Sequence, residues 1–160
     1  GRADVRKGCR GRRLNLIRVV LAALVLAGGA PVTPSPVPAA SVSVLHVEIP
    51  VADLARATRF YEALLGVRGD PATIDGYRML MFPIADGAAG ASLALVAGDV
   101  YRPGRHGPVV YLRAPDLDGL LARAAALGAR LLYPKKRLDD GRHLAEIEDS
   151  EGNRIALMEP

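Results

Sequence analysis

The apolar positions change period between Ser43 and Val67. Leu45, Val47 and Ile49 alternate with Val44, His46 and Glu48, which is the period of a strand with two unlike faces. After Asp53, a residue suited to starting a helix, Leu54, Ala57, Tyr61 and Leu64 recur at helical spacing, and Gly66 supplies the stop. The pattern predicts a strand over 42–50, a helix over 52–65, and strands over 67–74, 77–84 and 91–97. The Gly- and Pro-containing stretch 98–107 is expected as a loop. The order then returns, with a strand over 108–114, a helix over 116–127, and strands over 130–133, 143–148 and 154–158. Lys135, Lys136 and Arg137 are expected in a solvated turn after Pro134.

The two halves can be laid on each other directly. VADLARATRFYEALLGVR and APDLDGLLARAAALGAR share an Asp-Leu start and a Leu-Gly end, so Asp53 matches Asp116 and Gly66 matches Gly128. Leu93-Ala94-Leu95 matches Ile155-Ala156-Leu157. The expected fold is therefore α+β: two paired βαβββ modules, because neither module alone can cover its helix and both faces of its sheet. Module one spans 41–98, a linker 99–107, and module two 108–160.

His46-Val47-Glu48-Ile49, the run from Asp53-Leu54 through Phe60-Tyr61 to Leu64-Leu65-Gly66, and the closing Asp149-Ser150-Glu151-Gly152-Asn153-Arg154-Ile155-Ala156-Leu157 together resemble the vicinal oxygen chelate superfamily. That group includes glyoxalase I, bleomycin-resistance proteins and extradiol dioxygenases. The resemblance covers about three quarters of the chain. It implies sheets that curl around a concave cleft, with helices on the outer face.

The resemblance also implies where a metal would sit. Metal-dependent members place a His on the first strand of module one, a His or similar residue on the first strand of module two, and a Glu on the last strand of each. Carried onto this chain, those positions are His46, Val109, Ala94 and Ala156. Alanine and valine have no donor atoms, so no cofactor is expected and a divalent metal is not. A non-standard set of His46, Glu48 and an acid such as Glu146 is the metal-binding alternative. His106 and His143 lie in or beside loops and are read as solvated.

Strand alternation sends His46, Glu48, Ser92, Ala94, Tyr111, Arg113, Arg154, Ala156 and Met158 to the concave face, and puts Met79 and Met81 together on one face as a soft wall. A mostly small and apolar cleft with a few polar groups suits a small organic ligand. Several of these residues have a structural reading too. Glu48 could pair with Arg113 or Arg154, Tyr111 could be a core tyrosine, and His46 could be bonded to Glu48 or Tyr111. His46 and Glu48 are also the candidates for acid–base catalysis. Two functions follow. One is metal-independent binding or sequestration, as in bleomycin-resistance proteins. The other is a glyoxalase-like lyase or isomerase, or a dioxygenase, with a non-standard metal site around His46. Expected partners are a small organic molecule and a second copy of the chain.

Composition removes one class. The net charge of +4 suggests nucleic acid until it is located. Seven of the 21 basic residues lie in the first 18 positions, where Asp4 is the one acid. The remaining 14 basic and 16 acidic residues make a slightly negative body with no basic face for nucleic acid. Cys9 is the only cysteine, which excludes an intramolecular disulfide.

The basic start, the apolar run 19–30 and the Pro-, Ala- and Ser-rich exit 31–40 have the order of a secretory leader. The run is short for a membrane span. Residues 1–40 are thus expected to direct export, or to anchor the chain if uncleaved. The alternative is a mis-set reading start, which would leave the domain cytoplasmic.

Overall fold

The computed structural model describes residues 43–84 and 90–160. The leader-like segment therefore lies outside the described residues. Among those residues, no helix is long and apolar enough to cross a membrane.

Module one contains β1 (His46–Pro50), α1 (Leu54–Leu65), β2 (Asp70–Ile74), β3 (Tyr77–Phe82) and β4 (Ser92–Ala97). Module two contains β5 (Val110–Arg113), α2 (Leu117–Ala126), β6 (Arg130–Arg137), β7 (His143–Glu148) and β8 (Arg154–Met158). Each module forms a four-stranded sheet, in the orders β1-β4-β3-β2 and β5-β8-β7-β6. In both, the first strand runs parallel to the last, and the other pairs are antiparallel. Ala94 lies opposite Glu48, and Ala156 opposite Tyr111. The expected repeat is thus present in register as well as in order.

Local chemistry sets the helix ends. Asp53 accepts a hydrogen bond from the Arg56 N–H at 3.0 Å, and Asp116 one from the Gly119 N–H at 2.9 Å, each satisfying a free donor of the first turn. Gly66 closes α1 at φ 69°, a conformation that costs glycine nothing.

One apolar core joins the modules. Ile49, Leu80, Phe82 and Leu95 of the first sheet and Ala145, Ile147, Ile155 and Leu157 of the second pack with Phe60, Tyr61 and Leu64 of α1 and Leu117, Leu120 and Ala124 of α2. A smaller cluster of Met79, Ala94 and Val96 lies on the other face of the first sheet.

Three expectations need correction. β6 does not stop before Pro134; it continues to Arg137, with register irregularities on both sides of Tyr133. Proline lacks an N–H, but an edge strand with bulges tolerates that loss. Lys135 consequently lies in a strand, where its Nζ donates to Asp118 at 2.9 Å and Glu159 at 3.2 Å. Leu45 precedes β1 and is 86% exposed, so it does not share the core-facing row of Val47 and Ile49. His143 is bonded through Nδ1 to Glu159 at 2.7 Å instead of standing in solvent.

Candidate functional site

The site begins at β1, an edge strand. His46 and Glu48 project from one face, with side chains 32% and 35% exposed. Ser92 lies directly across from His46, and their Nδ1 and Oγ atoms share a hydrogen bond of 2.5 Å. The other ring nitrogen, Nε2, is 3.7 Å from Glu48 Oε1. Glu48 Oε2 in turn accepts the Tyr101 hydroxyl at 2.7 Å. Strand register accounts for the first contacts. The last comes from the linker, which folds back through a Tyr101 N–H to Gly98 carbonyl bond of 3.2 Å.

Tyr101 was outside every sequence expectation. It meets the edge of Tyr77, with ring centroids 5.3 Å apart and planes at 80°, and packs on the Met79–Ala94–Val96 cluster. The bond to Glu48, partial burial and the Glu48 charge push its hydroxyl up to about 12. The charge of Asp99, first, and its hydroxyl bond also raise Tyr77 above its ordinary value. A lone aromatic in a Gly- and Pro-containing loop of a chain poor in aromatics was the available signal.

On module two, Arg154 donates from Nε and a terminal nitrogen to both oxygens of Glu146, at 2.8 and 2.7 Å. This fork holds Glu146, which is 8% exposed, and raises the Arg154 guanidinium further. Arg154 is therefore engaged with Glu146, not Glu48. Tyr111 is 52% exposed, so it is a surface of the cleft and not a core residue.

Open space lies along the seam where the edge strands β1 and β5 face each other. A cavity of about 760 Å³ at one end is bordered by Ser92, Tyr111, Arg113, Arg142 and Met158. A second of about 410 Å³ is bordered by Glu48, Arg154, His106 and the linker residues Arg102, Pro103 and Gly104. Val47 and Val110 border both. Ser92, Tyr111 and Arg113 thus share one cavity, and Glu48 and Arg154 the other. His46, Met79 and Met81, expected in the cleft, border neither: His46 is turned to Ser92 and Glu48, Met79 is sealed with the Tyr101 cluster and Met81 packs against it.

A family model for the Glyoxalase/Bleomycin resistance protein/Dioxygenase superfamily matches residues 43–157. The chain belongs to that superfamily. Among solved structures it is similar to TnmS3, an antibiotic binding protein from Streptomyces sp. CB03234. The two are 28% identical with a TM-score of 0.60, over 76% of this chain and 98% of that one. A glyoxalase family protein from Bacillus cereus is 20% identical with a TM-score of 0.61, over 77% and 97% of the chains. A superfamily member from Sphaerobacter thermophilus DSM 20745 is 22% identical with a TM-score of 0.56, over 75% and 98%. No match is found among curated proteins.

The residues present do not fit the superfamily's chelate. His46 is the one donor among the four positions, since Ala94, Ala156 and Val109 offer none. The substitute set is not assembled either. Both oxygens of Glu146 are taken by Arg154, and among the described residues no three His, Cys, Asp or Glu side chains gather where they could hold a metal.

Proposed function

We propose that this protein binds a small organic molecule, without a metal, in the seam between its two modules. The observation that carries this is the donor set: one imidazole, with methyl and isopropyl groups at the three equivalent positions. Binding needs no Lewis acid. It needs an apolar seam with a few fixed polar groups, and Val47, Val110, Glu48, Tyr111, Arg113 and Arg154 supply that combination. The likeness to an antibiotic binding protein supports the same reading.

A thermal-shift screen on chain treated with a chelator tests it. Hits with flat or amphipathic organic compounds are expected, and they should survive chelation. Stoichiometric Zn, Ni, Fe or Mn in purified protein, lost on His46→Ala, would overturn the metal-free reading.

The leader-like order of residues 1–40 extends this proposal to an exported binding protein. An N-terminal sequence starting near Ala40 in mature protein tests that step. A second copy of the chain is its proposed protein partner, tested by mass in solution.

A further inference from the structure

The face of the first sheet opposite the main core is closed by the chain's own aromatic ring. Met79, Ala94 and Val96 lie on the face opposite the main core, yet they are 3%, 0% and 0% exposed. Four of the groups around them, Ala72, Tyr77, Met81 and Tyr101, complete the cover. Of these, Tyr101 alone is not part of the sheet. Its ring reaches from Tyr77 on β3 to Glu48 on β1, so it crosses β4, which lies between those strands.

Two further features show how the ring is held. Gly98 sits against it: a methyl built there would collide with the Tyr77 ring and press on Tyr101. The strap carrying Tyr101 is tied to module two by the Gly104 N–H, which donates to Asn153 Oδ1 at 2.8 Å. Asn153 is itself buried and bonded to the Pro50 carbonyl at 2.9 Å. Tyr101 thus sits among the five residues between Gly98 and the fixed Gly104, its ring held by the edge of Tyr77, the Met79–Ala94–Val96 floor and one side-chain hydrogen bond to Glu48.

We infer that this cup is a slot for a flat aromatic ligand carrying a hydrogen-bond donor, and that Tyr101 is its built-in occupant. The inference rests on the binding reading above and names its ligand class. A ligand ring that replaces Tyr101 gains the same floor of Met79, Ala94 and Val96 and the same edge of Tyr77. Its N–H or O–H takes the place of the phenol on Glu48. Glu48 and strap residues Arg102, Pro103 and Gly104 already border the smaller seam cavity, so withdrawing Tyr101 joins the slot to that space. A flat cationic amine fits better than an anion, because the acceptor is a carboxylate with a second acid, Asp99, at the rim beside Tyr77.

The test is a fluorescence titration of the full chain with 9-aminoacridine, a flat aromatic amine. A site shut for most of the time binds more weakly by its open fraction. On that basis Tyr101→Ala should tighten binding about tenfold, and Tyr101→Phe, which keeps the ring but frees Glu48, about threefold. Adding Glu48→Gln to Tyr101→Ala should reverse the gain. If Tyr101→Ala does not fold, Tyr101→Phe decides alone. Unchanged or weakened binding in the Tyr101 variants overturns the slot. If the dye ignores Tyr101 and Glu48 but is lost on Tyr111→Ala or Arg113→Ala, the slot falls and the seam reading stands. If none of the four positions matters, both fall.

Discussion

The Tyr61 hydroxyl, on α1 of module one, donates a 2.7 Å hydrogen bond to Asp149 Oδ2 in the β7–β8 turn of module two. Both residues are buried. The second Asp149 oxygen accepts the Glu151 and Asn153 N–H groups, each at 2.8 Å, and the Asn153 amide donates to both Asp149 and the Pro50 carbonyl. One carboxylate therefore shapes its own turn and ties it to the other module. Burial, first, and the adjacent Asp149 charge push the Tyr61 hydroxyl well above its ordinary range.

Tyr61→Phe removes the donor while keeping the ring against Phe60 and Phe82. A hydrogen bond to a charged group contributes about 1.5–3 kcal/mol, so urea denaturation at neutral pH should show a loss of that size. A loss under about 0.5 kcal/mol would mean that the Asn153 amide satisfies Asp149 unaided.

Glu151 makes a second tie. Its Oε2 accepts the Ala52 and Asp53 N–H groups, each at 3.0 Å, and its two oxygens take the Arg56 guanidinium at 2.7 and 2.8 Å. It caps the start of a helix in the other module. Burial pushes its carboxyl up, but the bonds from Arg56 and the Asp53 N–H outweigh that and hold it below its usual 4.5. A lowered folded-state value contributes stability that is present above 4.5 and drains as pH falls through and below it. Urea midpoints measured from pH 7 to 3 should fall along that limb, and Glu151→Gln should flatten it. An equal slope in the variant would assign the acid limb to other carboxylates.

Tyrosines contribute to the alkaline limb, beside Lys135, whose bonds to Asp118 and Glu159 also raise it. The bond to Glu48, partial burial and the Glu48 charge push the Tyr101 hydroxyl up to about 12 from an ordinary 10.0. A raised value contributes stability that is whole below 10 and is lost as pH rises towards 12. Phenolate absorbance at 295 nm, taken as wild type minus Tyr101→Phe, should isolate this transition. Glu48→Gln should bring it down, since the Gln carbonyl still accepts the bond but carries no charge. A difference titration centred near 10 in wild type would show that Tyr101 is not on Glu48.

The fold was legible because it repeats. Two stretches with the same Asp-Leu start, Leu-Gly end and β-period predict paired modules. That His46, Glu48, Ser92 and Ala94 share one face of the sheet follows from alternation, and the register pairs them. What the pattern did not carry was partner choice. Glu48 could meet Arg113 or Arg154 from its position on the strand, but Arg154 stands one strand from Glu146 and takes it. Tyr101 sits in a loop without periodicity, so nothing local said that it folds back across β4. The 149–153 run read as a turn, and its reach into α1 depends on how the modules pack. β6 passed Pro134 because edge strands and bulges relax a rule that holds for central strands.

Ala94 occupies a position where metal-dependent members of the superfamily place a carboxylate, and here it is fully buried in the cluster that Tyr101 covers. Ala94→Glu would put a charge among Met79, Val96 and the Tyr101 ring, with Glu48 opposite as a like charge and not a partner. An unpaired buried charge costs about 3–5 kcal/mol. Urea denaturation of Ala94→Glu at pH 7 should show a loss in that range, smaller at pH 4, where the added carboxyl is partly protonated. Adding Tyr101→Ala to Ala94→Glu should recover a measurable part, because opening the cover lets water reach the carboxylate. If the double variant is as unstable as the sum of the singles, the two sites are energetically independent, and Tyr101 does not seal Ala94.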